Sequence, residues 1–202
     1  RVKMDKEYSL RDRKRAKQKV SLANEFVDRL RSEAFEDIVV KDICTSVDVS
    51  EGTFYNYFDK KSDVMMFFRD LSFAKMTWAL HKGSYTNVFE KLLLFVDILS
   101  DTLTHPHVFY EFASVAIKEK MKEEKVFLSE VELVVAFPGC DGIINFSGYS
   151  PLRLFGEIVE EALLSGEITV SQEEAVRALH VMMIGIPLSL EEKNFDNLKE
   201  AY

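Results

Sequence analysis

Apolar residues recur every three or four positions along most of the chain, the period of amphipathic helices. From Leu10 to Arg31, Ala16, Val20, Ala23, Val27 and Leu30 make one apolar face, with Phe26 beside them. Arg13, Lys14, Lys17 and Asp28 fall opposite. Residues 1–9 lack the pattern and read as an arm. After a break at Glu36–Asp37, Val40–Val47 predicts a short helix with Val40, Ile43, Cys44 and Val47 on one side. Asp48-Val49-Ser50 reads as a turn, and Ser50 as the N-cap of a second short helix, Glu51–Tyr57, with Phe54 and Phe58 inward. Asp59–Ser62 separates it from a long helix, Ser62–His81, lined by Val64, Phe67, Phe68, Leu71, Ala74 and Trp78.

Lys82-Gly83-Ser84 ends that helix, and four or five more helices are predicted beyond it. They cover Asn87–Thr104, Pro106–Lys118, Glu123–Phe137, Pro151–Leu164 and Gln172–Ile186. The stretch Pro138–Ser150 reads as a loop long enough to hold a turn of its own. Ser171 and Glu174 have capping-box spacing, and Pro187 is expected to interrupt the last helix. The fold class is all-α. Residues 1–60 form a three-helix head, 61–82 a connecting fourth helix, and 83–202 a helical body.

Composition supports this reading, because eight Gly and four Pro in 202 residues leave long helix-forming stretches uninterrupted. No apolar run is long enough to span a bilayer, and the basic N-terminus lacks the apolar stretch of a signal peptide, so a cytoplasmic location is expected. Cys44 and Cys140 stand far apart and read as reduced thiols. The net charge of −8 hides an asymmetry: residues 1–82 carry 17 Lys+Arg against 14 Asp+Glu, and residues 83–202 carry 9 against 20. A basic head on an acidic body suits nucleic-acid binding. The bases Arg11, Arg13, Lys14 and Arg15 read either as phosphate or minor-groove contacts or as a solvated tail.

Two short helices joined by a tight turn and braced by a longer one make a helix-turn-helix, whose second helix fits the major groove of DNA. Glu51, Thr53, Tyr55, Asn56 and Tyr57 supply the polar outer surface such a helix needs, and Gly52 permits close approach. The run from Asp42-Ile43-Cys44 through Val47-Asp48-Val49-Ser50-Glu51-Gly52-Thr53-Phe54-Tyr55-Asn56-Tyr57-Phe58 to Lys61 and Val64 resembles the signature of the tetracycline-repressor (TetR) family. The likeness covers about fifty residues. It implies a homodimer that binds double-stranded DNA at a palindromic operator, most often as a ligand-responsive repressor. By that resemblance Lys41, Ser50, Glu51, Gly52, Thr53, Tyr55, Asn56, Tyr57 and Lys61 are the DNA-binding residues. Tyr55, Tyr57 and Lys61 would serve phosphates. Glu51 is either an acceptor for cytosine or a solvated helix-start residue. The chain departs from the signature at Val39 and Val40, where a threonine is usual, at Ala34, and at Asp48, where the turn glycine is usual. Asp37 is the available substitute for the missing cap.

The resemblance also implies an effector cavity in the body and dimerisation through the last two helices. The aromatic residues Trp78, Phe89, Phe95, Phe109, Tyr110, Phe112 and Phe127 are the candidates for a pocket that takes a small apolar or aromatic effector, although any single one reads first as ordinary core. Effector binding is expected to act by levering the fourth helix. Leu152, Phe155, Val159, Leu163, Leu179 and Met183 are the candidate dimer interface. His105 and His107 flank Pro106 and read as helix-start polar residues or as metal ligands with Cys140 or Asp141. Catalytic motifs with recognisable spacing are absent, so neither an enzyme, a cofactor nor a metal is expected. A helical adaptor without DNA binding is the competing function.

Overall fold

The computed structural model describes residues 8–102, 106–118 and 128–189, and the described residues form nine α-helices and no strand. They are α1 (Leu10–Arg29), α2 (Val40–Ser46), α3 (Glu51–Tyr55), α4 (Lys61–Lys82), α5 (Val88–Thr102), α6 (Pro106–Lys118), α7 (Glu130–Ala136), α8 (Pro151–Ser165) and α9 (Gln172–Ser189). The loop before α8 holds a 3-10 turn, Ile143–Phe146.

Serine side chains start several of these helices by accepting orphan backbone N–H groups. Ser9 Oγ accepts from Asp12 N at 3.1 Å, and Ser150 Oγ from Arg153 N at 3.3 Å. Ser171 and Glu174 make the reciprocal bonds of a capping box. Gly166, at φ 76°, closes α8 in the left-handed conformation that glycine adopts without strain.

Helices α7 and α9 differ from the pattern in the sequence at one end each. The helix expected from Glu123 begins at Glu130, because Ser129 and Glu132 form a second capping box, with Ser129 N donating to Glu132 Oε2 at 2.8 Å. Pro187 does not interrupt α9, which continues to Ser189. A proline in the last turn forfeits one backbone hydrogen bond while keeping a helical φ, and Ser189 Oγ bonds to Ile186 O at 2.7 Å nearby.

Helix α4 is buried on most of its circumference, so it is the axis on which the others pack. It serves two apolar cores. Val64, Met65, Phe67, Leu71 and Ala74 join α1, α2 and α3 around Phe26, Ile43, Phe54 and Phe58. Phe73, Met76 and Leu80 join α5 and α8 around Phe95, Phe155 and Ile158.

The first core crosses the boundary drawn at residue 82 in the sequence. Val115 of α6, Leu128, Leu133 of α7 and Ile143 are all buried in it. Helix α7 lies along α1 in the most extensive helix pairing of the fold. There Lys19 Nζ reaches Glu132 Oε1 at 2.8 Å and lies 4.2 Å from the centre of the Phe67 ring. Helix α6 grips the link between α1 and α2 at three points. His107 Nδ1 is 2.7 Å from Leu30 O, Phe35 N donates to Glu111 Oε2 at 2.8 Å, and Lys118 pairs with Glu36 at 2.7 Å. A carbonyl only accepts, so His107 Nδ1 carries the proton. No described helix is long and apolar enough to cross a membrane.

Candidate nucleic-acid interface

Helix α2 packs on α1 and on α3, and Val47–Ser50 joins α2 to α3. The turn is built by the chain's own hydrogen bonds. Val49 N donates to Cys44 O at 2.9 Å and Asp48 N to Thr45 O at 3.2 Å, the two bonds of a Schellman ending. Asp48 supplies the left-handed residue at φ 57°, where glycine is the usual choice. Asp37 does not serve as the cap of α2: Val39 is the N-cap residue, with no side-chain bond.

Ser50 caps α3, its Oγ accepting from Thr53 N at 3.1 Å and lying 3.0 Å from Thr53 Oγ1. Helix α3 ends at Tyr55 instead of Tyr57, although Phe58 N still donates to Phe54 O at 3.0 Å and keeps the chain coiled. Phe54 is fully buried and Phe58 nearly so, their ring centres 5.4 Å apart, and they pin α3 to the first core. Its outer side is left to Glu51, Gly52, Tyr55 and Asn56, all exposed, with Thr53 half-buried. A Cβ at Gly52 would meet only Ser50 Oγ, at 3.7 Å, so the protein's own packing does not require glycine there. Lys41 is exposed on α2. Burial, reinforced by Glu51, pushes the Cys44 thiol up from its ordinary range.

Two of the sequence-predicted phosphate contacts are otherwise engaged. Tyr57 donates its hydroxyl to Gln18 Oε1 at 2.9 Å, and the Arg15 guanidinium lies 5.5 Å from its ring centre. Lys61 turns inward: its ammonium donates to the carbonyls of Phe35, Glu36 and Ile38, and sits 4.4 Å from the Phe35 ring centre. Three N–H donors meet three carbonyls, leaving none for a phosphate. Burial also lowers the Lys61 pKa from its ordinary value. Lys61→Met is therefore expected to lower unfolding free energy by about 2–4 kcal/mol, since three carbonyls lose a charged donor. Denaturant titration reads this; an unchanged midpoint would make the staple energetically idle.

The pocket candidates do not converge. Phe95 packs on Phe155 in the second core, with ring centres 5.5 Å apart. Phe112 packs beside Phe68 against the first core. Trp78 donates from Nε1 to Asp141 O at 2.8 Å, and Tyr110 to Pro187 O at 3.4 Å beside Phe109. Phe89 is 66% exposed, and Phe127 falls outside the described residues. An open groove of about 850 Å³ lies elsewhere, on the outer face of α8 and α9. It is lined by Leu152, Val176, His180, Val181, Ile184 and Gly185 among others.

Neither a protein-family model nor a curated protein matches the sequence.

The dimer candidates divide in two. Phe155 and Val159 are buried inside the protomer, and Leu179 and Met183 pack against its second core. Leu163 is half-buried and Leu152 exposed. The sequence reading missed which face of α9 is outward. Val181, Met182 and Ile184 are 64%, 42% and 40% exposed. The signal was an apolar run on nearly every side of α9, more than one neighbour can cover.

Proposed function

We propose that the chain is a sequence-specific DNA-binding transcriptional regulator that acts as a homodimer, with α2 and α3 as its helix-turn-helix. The observation that carries the reading is α3 itself: a short helix held by two buried phenylalanines whose outer residues, Glu51, Tyr55 and Asn56, are polar or amphipathic and exposed. A helix of that size enters the major groove, where the amide of Asn56 can pair with an adenine edge. The resemblance of the Asp42–Val64 run to the tetracycline-repressor family supports the same conclusion, and repression is the mode it favours. An apolar effector is left out, because the aromatic residues that suggested one lie in separate parts of the fold.

The exposed apolar side chains of α8 and α9 favour an isologous dimer, which would place two α3 helices on one dyad. Val181→Glu is expected to convert a dimer at micromolar concentration into a monomer, read by sedimentation velocity. A wild-type chain that sediments as a monomer removes the dimer.

Salt separates the regulator from an adaptor. The full chain is titrated onto a duplex at rising ionic strength. A steep linear fall of log affinity with log salt supports DNA binding, through counterion release. No measurable binding at low salt refutes it.

A further inference from the structure

Six of the 17 residues from Tyr8 to Asn24 are Lys or Arg, and Asp12 is the one acid among them. Asp12 is occupied locally, its carboxylate accepting from Ser9 Oγ at 2.6 Å. At 3.6 residues per turn, Arg11, Lys14, Arg15 and Gln18 fall within about 100° of one another on α1. Arg11, Lys14 and Arg15 are exposed and Gln18 is half-buried. Arg13 and Lys17 lie on a different side, more than about 100° from the centre of that strip.

The strip does not end with α1. Gln18 accepts from the Tyr57 hydroxyl, and Arg15 lies over the Tyr57 ring. Tyr57 directly follows Asn56, the last exposed residue of α3's outer surface. A line of positive charge thus joins the groove-facing residues through one aromatic ring. Resting on the reading of α3 given above, we propose that Arg11, Lys14 and Arg15, the last held over the ring of the Gln18-bound Tyr57, grip the sugar–phosphate backbone bordering the groove that α3 enters.

Three observations support a nucleic-acid backbone as the occupant. Lys61, at the start of α4, spends its ammonium on backbone carbonyls, so that helix end brings no cation from it. Among the described residues Arg11 and Lys14 make no ion pair, and the one partner of the Arg15 guanidinium is the Tyr57 ring, so no described carboxylate neutralises them. A membrane surface would need an apolar face on α1 to insert, but Ala16, Val20, Ala23 and Val27 are already buried in the protein. The strip spans about 10 Å of helix axis. At about 3.4 Å of axis per phosphate, that covers about three phosphates of one strand.

The test compares full-length variants on a fluorescent random-sequence duplex of about 30 base pairs across a salt titration. In R11Q/K14Q/R15Q the log–log salt slope is expected to become shallower by about two to three, with low-salt affinity at least about tenfold weaker. K17Q, which removes charge from a different side of the same helix, should leave the slope within about half a unit of wild type. Circular dichroism verifies that both variants stay helical. A triple variant with the wild-type slope overturns the proposal, as does an equal loss per charge in K17Q. If wild type still enriches a sequence from random duplexes while the triple variant keeps its slope, only the strip fails. If wild type binds no duplex, both readings fail. Phosphatidylserine vesicles provide the last arm: affinity for them that the triple variant loses, with duplex binding unaltered, assigns the strip to a membrane and overturns the proposal.

Discussion

Phe54→Ala is expected to cost about 3–5 kcal/mol of stability, the range for truncating a fully buried aromatic side chain. Phe54 is completely inaccessible and sits between Tyr55 and Phe58, with ring centres at 5.2 and 5.4 Å. Helix α3 is only five residues long, and its buried anchors are Phe54 and, beyond its end, Phe58. An isolated helix of that length is unstable in water, so its packing and not its propensity keeps it folded. Against a total stability of about 5–15 kcal/mol, the loss threatens the whole head. Thermal denaturation should show a melting temperature lower by roughly 10 °C. Tyr55→Ala, one residue away and half exposed, should stay within about 0.5 kcal/mol of wild type and weaken DNA binding instead. Equal stabilities for the two variants would mean that α3 does not depend on its buried face.

Cutting the chain after Lys82 should abolish cooperative folding of the head. A division of labour between head and body is the natural inference from the charge asymmetry, but the packing joins them. Val115, Leu128, Leu133 and Ile143 close the first core from the far side of the cut, and α7 covers α1. Their loss would leave Phe26, Phe67 and their neighbours facing water on that side. The same cut strips Phe73, Met76 and Leu80 of the second core from their partners on α5 and α8. Residues 1–82 alone should retain some far-ultraviolet helix signal, with a broad thermal change and no near-ultraviolet signal from fixed aromatic rings. A sharp two-state transition in that fragment would show that the head is autonomous.

The sequence disclosed what period and punctuation can encode. Ala16, Val20, Ala23 and Val27 recur at helical spacing and are buried; Ser50 and Ser171 are good caps and act as caps. The turn Asp48-Val49-Ser50 was legible because its neighbours are strongly patterned, although α2 ends one residue earlier, at Ser46. The inward turn of Lys61 was not legible, for a reason that is general. A lysine at a helix start has the same local sequence whether it faces solvent or the carbonyls of Phe35, Glu36 and Ile38, and only tertiary structure decides. The placement of the body's aromatic residues was hidden in the same way, since spacing puts Phe95 and Phe112 on helix faces but does not say that they join different cores. Helix α9 is apolar on several sides, so periodicity alone left Val181 and Leu179 interchangeable, although one is exposed and the other packed. The strip on α1 was visible as charge. Its meaning depends on Tyr57 and Gln18 meeting across 39 positions of sequence.

The decisive measurement is selection of bound sequences from a pool of random duplexes by the full-length chain at moderate salt. The expected result is enrichment of an inverted repeat whose half-sites lie about 34–36 Å apart, one turn of DNA or slightly more, matching two α3 helices on a dyad. Asn56→Ala should then relax the preference at one base pair in each half-site while leaving the other positions intact. A pool that remains random after repeated rounds, with no retention of duplex even at low salt, would contradict entry of α3 into a DNA groove.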